Sequence, residues 1–268
     1  MRLTLFWLLL LATTAGFGQK TNIEPFERGG LWGFRQKKSK HIVTQPAYKL
    51  ACLFENNWKI TPVLSNNGWG FCDTSGKEII PCQFEKVVCI TDWSCFAVCK
   101  NQKWGIYDSS GTLRQPCRYD ELRLWCEHQP TGIQYCIYAN QLGIVVRDGK
   151  FGFLSRDLHE FISCQYDDAL EFSENVAAVK SNGKWGYIDP IGRTIIPFIY
   201  TDARNFNLGV AFVKAGKLWG AIDKTQKVVV SFQYEAIKSP RNSFDSKGRS
   251  EVRHHGVWNV IHLDDYKQ

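Results

Sequence analysis

The chain is poor in several things whose absence narrows its class. It has one methionine and nine prolines in 268 residues, and none of its ten cysteines lies beyond Cys164. After residue 18 no apolar run approaches the length of a membrane-spanning helix, so the mature chain is expected to carry no such span. No G-x-S-x-G, P-loop, H-E-x-x-H or paired C-x-x-C is present, which removes the commonest signatures of hydrolases, nucleotide-binding enzymes and zinc sites. Charge of one sign is not concentrated either. The formal net charge of +7 is scattered, with one dense stretch at Arg35 to Lys40 (RQKKSK). Such a run attracts phosphate or acidic glycan, or is simply a solvated turn, and no nucleic-acid partner is expected.

What is present begins with Arg2, an apolar segment from Leu3 to Ala12, and small residues at Gly16 and Gly18. This succession reads as a secretory signal peptide spanning 1–18, with cleavage after Gly18 leaving Gln19 first. The apolar part is too short for a stable anchor. The expected destination is therefore the periplasm, the cell surface or the medium. Residues 19–268 form the remainder.

Aromatic content is 14%, including ten tryptophans, and the tryptophans are periodic. Trp-Gly steps begin at Trp32, Trp69, Trp104, Trp185 and Trp219; Phe151-Gly152 fills the gap, and Trp258 stands where a last, degenerate copy belongs. Successive anchors are 37, 35, 47, 34, 34 and 39 residues apart, so one unit recurs about seven times, with an insertion at about 124–146. The copy from Asn175 to Ala203 shows three short strands: Val176 to Lys180, Lys184 to Ile188 and Thr194 to Tyr200. The last two are joined by Asp189-Pro-Ile-Gly192. The same D-x-x-G recurs at Asp73 and Asp108, with Asp capping the turn and Gly supplying a positive φ. In the second strand Trp185 and Tyr187 point one way and Ile188 the other. Both faces are apolar, as in a strand held between neighbouring units. Arg35 breaks this rule in the first copy and suits a capping unit.

A second signature ends the third strand: Pro81-Cys-Gln-Phe84, Pro116-Cys-Arg-Tyr119, Ser163-Cys-Gln-Tyr166, Pro197-Phe-Ile-Tyr200 and Ser231-Phe-Gln-Tyr234. Cys82, Cys117 and Cys164 share a slot with Phe198 and Phe232, which reads them as buried core thiols, and Cys72 matches Ile188. Cys89, Cys95, Cys99, Cys126 and Cys136 are the positions where disulfides would fall.

With GKWGYID at Gly183 to Asp189, QKWGIYD at Gln102 to Asp108, NGWGFCD at Asn67 to Asp73 and GKFGFLS at Gly149 to Ser155, the chain resembles the WG-repeat (KWG-repeat) family of bacterial proteins. The resemblance covers nearly everything after the leader and implies a β-repeat scaffold with no catalytic residues to carry over. The expected fold is all-β: tandem three-stranded antiparallel units stacked as an open, solenoid-like array, with a closed β-propeller as the alternative.

Candidate chemistry is sparse. His254-His255 and Cys126-Glu-His128 lack the further ligands a metal needs, so no metal and no cofactor is expected. Asp167-Asp168 and Glu171 to Glu174 could imitate a glycosidase acid pair, but Asp120 and Asp202 occupy similar places in other units. Trp125, Tyr135 and Tyr138 in the insertion have no counterpart elsewhere and can stack on a sugar or peptide. They are the candidate ligand-binding residues. Trp32, Trp69, Trp104, Phe151, Trp185 and Trp219 are structural anchors. The reading is a non-enzymatic binding or scaffold protein of the envelope, with an unknown protein or envelope glycan as partner. The alternative is a secreted carbohydrate-active hydrolase with a site near the insertion.

Overall fold

The computed structural model describes residues 22–54, 58–90, 95–123, 126–127, 134–136, 142–155, 157–238 and 243–266. Two compact parts are distinguished: residues 1–118 with 125–137, and residues 119–124 with 138–268. Seven small sheets, numbered here along the chain, hold about two thirds of the described residues. None closes into a barrel, and no described helix is long and apolar enough to cross a membrane.

The three strands read from sequence are present in sheets 1 to 6, and in sheet 5 they are Ala177–Ser181, Lys184–Ile188 and Thr194–Tyr200. One feature is additional. Sheets 2 to 7 each begin with a short lead strand, such as Asp168–Ala169 in sheet 5, so that sheets 2, 4, 5 and 6 have four strands. The lead strand continues directly from the third strand of the sheet before it. A single residue separates them: Lys49, Glu85, Asp120, Asp167, Thr201 or Glu235. At each corner that residue's N–H donates to a carbonyl in the first full strand of the new sheet, at 2.7–2.8 Å (Lys49 to Leu64, Glu85 to Cys99, Asp120 to Val146, Asp167 to Lys180, Thr201 to Lys214, Glu235 to Arg253). Four of the six lead strands have two residues, too little sequence to show a period, which is why alternation alone did not reveal them.

Pairing of the second strand with the third is broken by a bulge at the same place in sheets 1, 2, 4, 5 and 6. Trp185 faces Tyr200 and Tyr187 faces Ile196, so a step of two residues on the Trp strand spans four on its neighbour. The displaced backbone lies against the glycine of the Trp-Gly step. A Cβ on Gly186 would meet the carbonyl oxygen of Ile196 at 2.6 Å, and one on Gly70 would meet Ile80 O and Cys82 N at 2.7 Å. No side chain fits there. The close approach at this glycine comes from the repeat's own third strand and not from a neighbouring unit.

Within each compact part, cores form between successive sheets. Ala177, Val179 and Ile188 of sheet 5 join Ile144, Phe153 and Ile162 of sheet 4. On its other face, Trp185, Tyr187 and Ile196 join Ala211, Val213 and Ile222 of sheet 6. The apolar character of both faces has this origin. A third recurring element supplements these contacts. Phe54, Phe172 and Phe206 follow three residues after Ala51, Ala169 and Ala203 at the end of each lead strand, and their rings pack at 5.4, 4.8 and 4.9 Å on Phe34, Phe153 and Tyr187 of the preceding sheet. Sheet 6 has Ala221 at the aromatic position, and there Phe212 on the adjacent strand stacks with Phe244 at 5.1 Å instead.

The slot shared by cysteine and phenylalanine is half-buried, not buried as the sequence suggested, because it lies on the bulge over the glycine. Cys95 and Cys99, where bridges were expected, are buried reduced thiols. Burial, reinforced by the charge of Asp108, pushes Cys95 up to about 12. The side chains of Cys126 and Cys136 lie outside the described residues.

The anchors are not equally buried. Trp185 and Trp219 are 7% and 4% exposed, whereas Trp258 is 47% exposed. Trp185→Ala is therefore expected to destabilise by about 3–5 kcal/mol and Trp258→Ala by clearly less. Denaturant titration of both variants measures the difference, and equal losses would contradict the burial.

Candidate functional site

The repeated acidic residues are engaged in local structure. Asp189 accepts the backbone N–H groups of Ile191 (3.0 Å) and Arg193 (2.8 Å), and its second oxygen takes the Arg193 guanidinium at 2.8 Å. Asp73 and Asp223 make the same pair of backbone bonds, to Ser75 and Lys77 and to Thr225 and Lys227. Asp108 matches them with Ser110 and Thr112. Where a glycine closes the turn it also touches the sheet before it: a Cβ on Gly111 would lie 2.9 Å from Ile79, and one on Gly192 would lie 3.7 Å from Ile162, while the Asp223 turn closes on Gln226 at φ 67°. Sheet 4, which has Ser155 in place of the aspartate, keeps the turn by placing Leu158 at φ 67° in the glycine position.

Burial tends to raise the pKa of these four aspartates, but the hydrogen bonds they accept outweigh it and hold each below the ordinary 3.8. A carboxylate depressed in the folded state stabilises the fold fully above its unfolded pKa, and that contribution is lost as pH falls through the folded value. The denaturation midpoint of Asp189→Ala should accordingly lie below that of the parent at neutral pH, with the gap closing as the pH drops below the carboxylate range. Melts across that range test it, and a gap unchanged in acid would be the contrary result.

The corner carboxylates have a second duty. Asp167 accepts the N–H of Gly183 at 3.0 Å and Glu85 that of Asn101 at 2.8 Å. Each caps the turn between the first two strands of the next sheet. Both turns need positive φ at two successive residues, Asn101 and Gln102 in one and Asn182 and Gly183 in the other.

The acids proposed as a glycosidase pair are similarly committed. Asp167 also meets Lys150 at 2.6 Å, and Asp168 accepts the N–H of Ala169 at 2.9 Å with Arg123 3.7 Å away. Glu174 receives the N–H of Gly209 and pairs with Lys224 at 3.3 Å. Among the described residues no group of three or more His, Cys, Asp or Glu side chains is arranged to hold a metal. His254 and His255 lie ring against ring at 4.1 Å. In the basic run, Glu24 holds Arg35 at 2.8 Å and Lys40 at 2.9 Å. Arg35 thus occupies the capping position with a partner on its own sheet.

The insertion contributes two short backbone segments. Cys126–Glu127 pairs with Gln134–Cys136, and the latter lies parallel to Lys86–Ile90, the lead strand of sheet 3, with Tyr135 beside Cys89. Sheet 3 consequently has six strands. Leu142–Arg147, partly counted with the insertion from sequence, is the first strand of sheet 4. Trp125, Tyr138 and the side chain of Tyr135 lie outside the described residues. The alanine-to-phenylalanine spacing after each corner escaped the sequence reading, although it stands in view as A-x-x-F.

A succession of small antiparallel sheets joined by one-residue corners defines a tandem β-repeat protein. The WG-containing repeat family matches residues 69–104, 151–185, 185–219 and 219–258, more than half of the chain. The chain belongs to that family. No curated protein matches it in sequence. Solved structures with some likeness include Kluyveromyces lactis Hsv2 (9% identity, TM-score 0.37, 77% of this chain and 72% of that one). A eukaryotic initiation factor is similar at 10% identity and TM-score 0.39, over 92% and 77% of the two chains. PorZ of Porphyromonas gingivalis, a bacterial surface component of the type-IX secretion system, is similar at 9% identity and TM-score 0.32, over 83% of this chain and 33% of its own. None of these likenesses assigns a function.

Proposed function

We propose that this chain is an exported, non-catalytic binding or scaffold protein of the bacterial envelope, and that it recognises a protein or glycan. An all-β repeat protein suits binding or scaffolding in general, since repeated sheets offer extended surface. The observation that carries the narrower reading is the commitment of the acidic side chains. Asp73, Asp108, Asp189 and Asp223 close turns, Glu85 and Asp167 cap hairpins, Asp168 is bonded to the next residue's N–H, and Glu174 is bonded to Gly209 and Lys224 of the following repeat. A hydrolase would need a facing pair of carboxylates available to substrate. Glu160, half-buried at the start of a third strand, is likewise held by Arg147 at 2.9 and 3.0 Å and by the Tyr119 hydroxyl at 2.8 Å.

Recognition is assigned to the insertion, where Trp125, Tyr135 and Tyr138 depart from the repeat and supply rigid aromatic area. Replacing residues 126–141 with a short Gly-Ser turn should leave the sheets folded by circular dichroism and abolish co-sedimentation with envelope glycan or cross-linking to envelope proteins. Undiminished recovery by the folded variant would refute the assignment. Export is tested separately by N-terminal sequencing of protein recovered outside the cytoplasm. Gln19 is the expected first residue, and an intact Met1 or a cytosolic product would overturn it.

A further inference from the structure

Sheet 7 consists of the lead strand Ala236–Ile237, Arg249–His254 and Val257–His262, and among the described residues no strand lies beyond the last of these. Elsewhere the strand carrying the anchor is covered on that side, with Trp69 facing Phe84, Trp185 facing Tyr200 and Trp219 facing Tyr234. In sheet 7 Val257, Trp258 and Val260 are 60%, 47% and 56% exposed. Unpaired backbone groups flanked by apolar side chains are a template for strand addition.

The residue after Trp258 decides what can be added. It is Asn259, where six other repeats have glycine. The bulged third strand of this family comes within about 2.3–2.8 Å of where a Cβ would stand on that residue in those six repeats. A bulged strand ending P-x-x-Y therefore cannot dock on sheet 7, whereas a regular, unbulged strand can.

We propose that the occupant is Val257–His262 of a second copy of this chain, paired antiparallel about a two-fold axis. A two-fold perpendicular to the sheet pairs residues that share a face. Centred on Asn259, it sets Trp258 opposite Val260 of the second copy, and Val257 opposite Ile261. That register gives each Trp258 a β-branched cross-strand neighbour. The two ends of the strand also differ in chemistry. The hairpin leading into the strand carries Arg253, His254 and His255, with Arg253 held by Glu235 at 3.1 Å. Asp264 and Asp265 follow the strand directly in the short 3-10 helix Leu263–Tyr266. Antiparallel pairing brings the histidine end of one copy beside the acidic end of the other.

The test uses the mature full chain. Light scattering behind size exclusion should show a concentration-dependent dimer, and Val260→Lys should weaken it by about tenfold or more with the circular dichroism spectrum unchanged. Asn259→Cys should form a disulfide-linked dimer on mild oxidation, because the axis places that residue against its own copy, while Val257→Cys and the parent chain should link far less. A parent chain that stays monomeric at every concentration would overturn the proposal. So would cross-linking by Val257→Cys equal to that by Asn259→Cys.

Discussion

Contact between the glycine of each Trp-Gly step and the bulged backbone of the third strand governs the rest of the repeat. With Ile196 O and Cys82 N where a Cβ would sit on Gly186 and Gly70, the second strand cannot carry a side chain at that position. The bulge absorbs extra residues on the third strand and raises its local twist. It returns the chain to register with Tyr200 or Phe84 opposite the anchor tryptophan. From that aromatic the chain needs one residue to reach the next sheet. Proline at 46, 81, 116 and 197 suits the bulge, since it has no N–H to leave unpaired and discourages further pairing on this outer strand. The two signatures are thus halves of a single contact.

The corner makes the sheets cooperative. Its N–H enters the ladder of the new sheet, and in three repeats its carboxylate reaches the hairpin turn of that sheet, at Asn101, Gly183 and Gly256. After the lead strands of sheets 2, 5 and 6 a phenylalanine then packs back onto the preceding sheet. Those three junctions are therefore held by a backbone bond in the forward direction and an aromatic contact in the reverse. Either element alone would be weak. Together they let a core form between sheets that individually have only three or four strands.

What was legible in the sequence follows from this division. Trp-Gly, D-x-x-G and the third-strand ending are local and periodic, so the strands of sheet 5 and the structural duty of Asp189 could be read without coordinates. The two-residue lead strands could not, because two residues carry no alternation. The half-burial of Cys82, Cys117 and Cys164 was missed for a different reason. Substitution by phenylalanine elsewhere shows that a position tolerates apolar bulk, and a bulge exposes one side of such a residue while its other side covers the glycine. Of the candidate ligand-binding residues, Trp125 and Tyr138 lie outside the described residues, and for Tyr135 the structure gives a backbone position beside Cys89 and no more.

Repetition also constrains where function can reside. A residue type that recurs in four or more repeats at one place has a duty common to all of them, and here that duty is visible as turn closure, corner capping or sheet-to-sheet packing. Specific recognition needs features that occur once. The chain has two regions of that kind: the insertion, which extends sheet 3 through a parallel pairing found nowhere else among the described residues, and the last sheet, where Asn259 replaces the glycine and the anchor tryptophan is left half exposed. Both departures alter a sheet margin and leave the inter-sheet cores intact. Margins are where a β-repeat can change without cost to its neighbours, since each core is shared by two sheets and any change within it is felt on both sides.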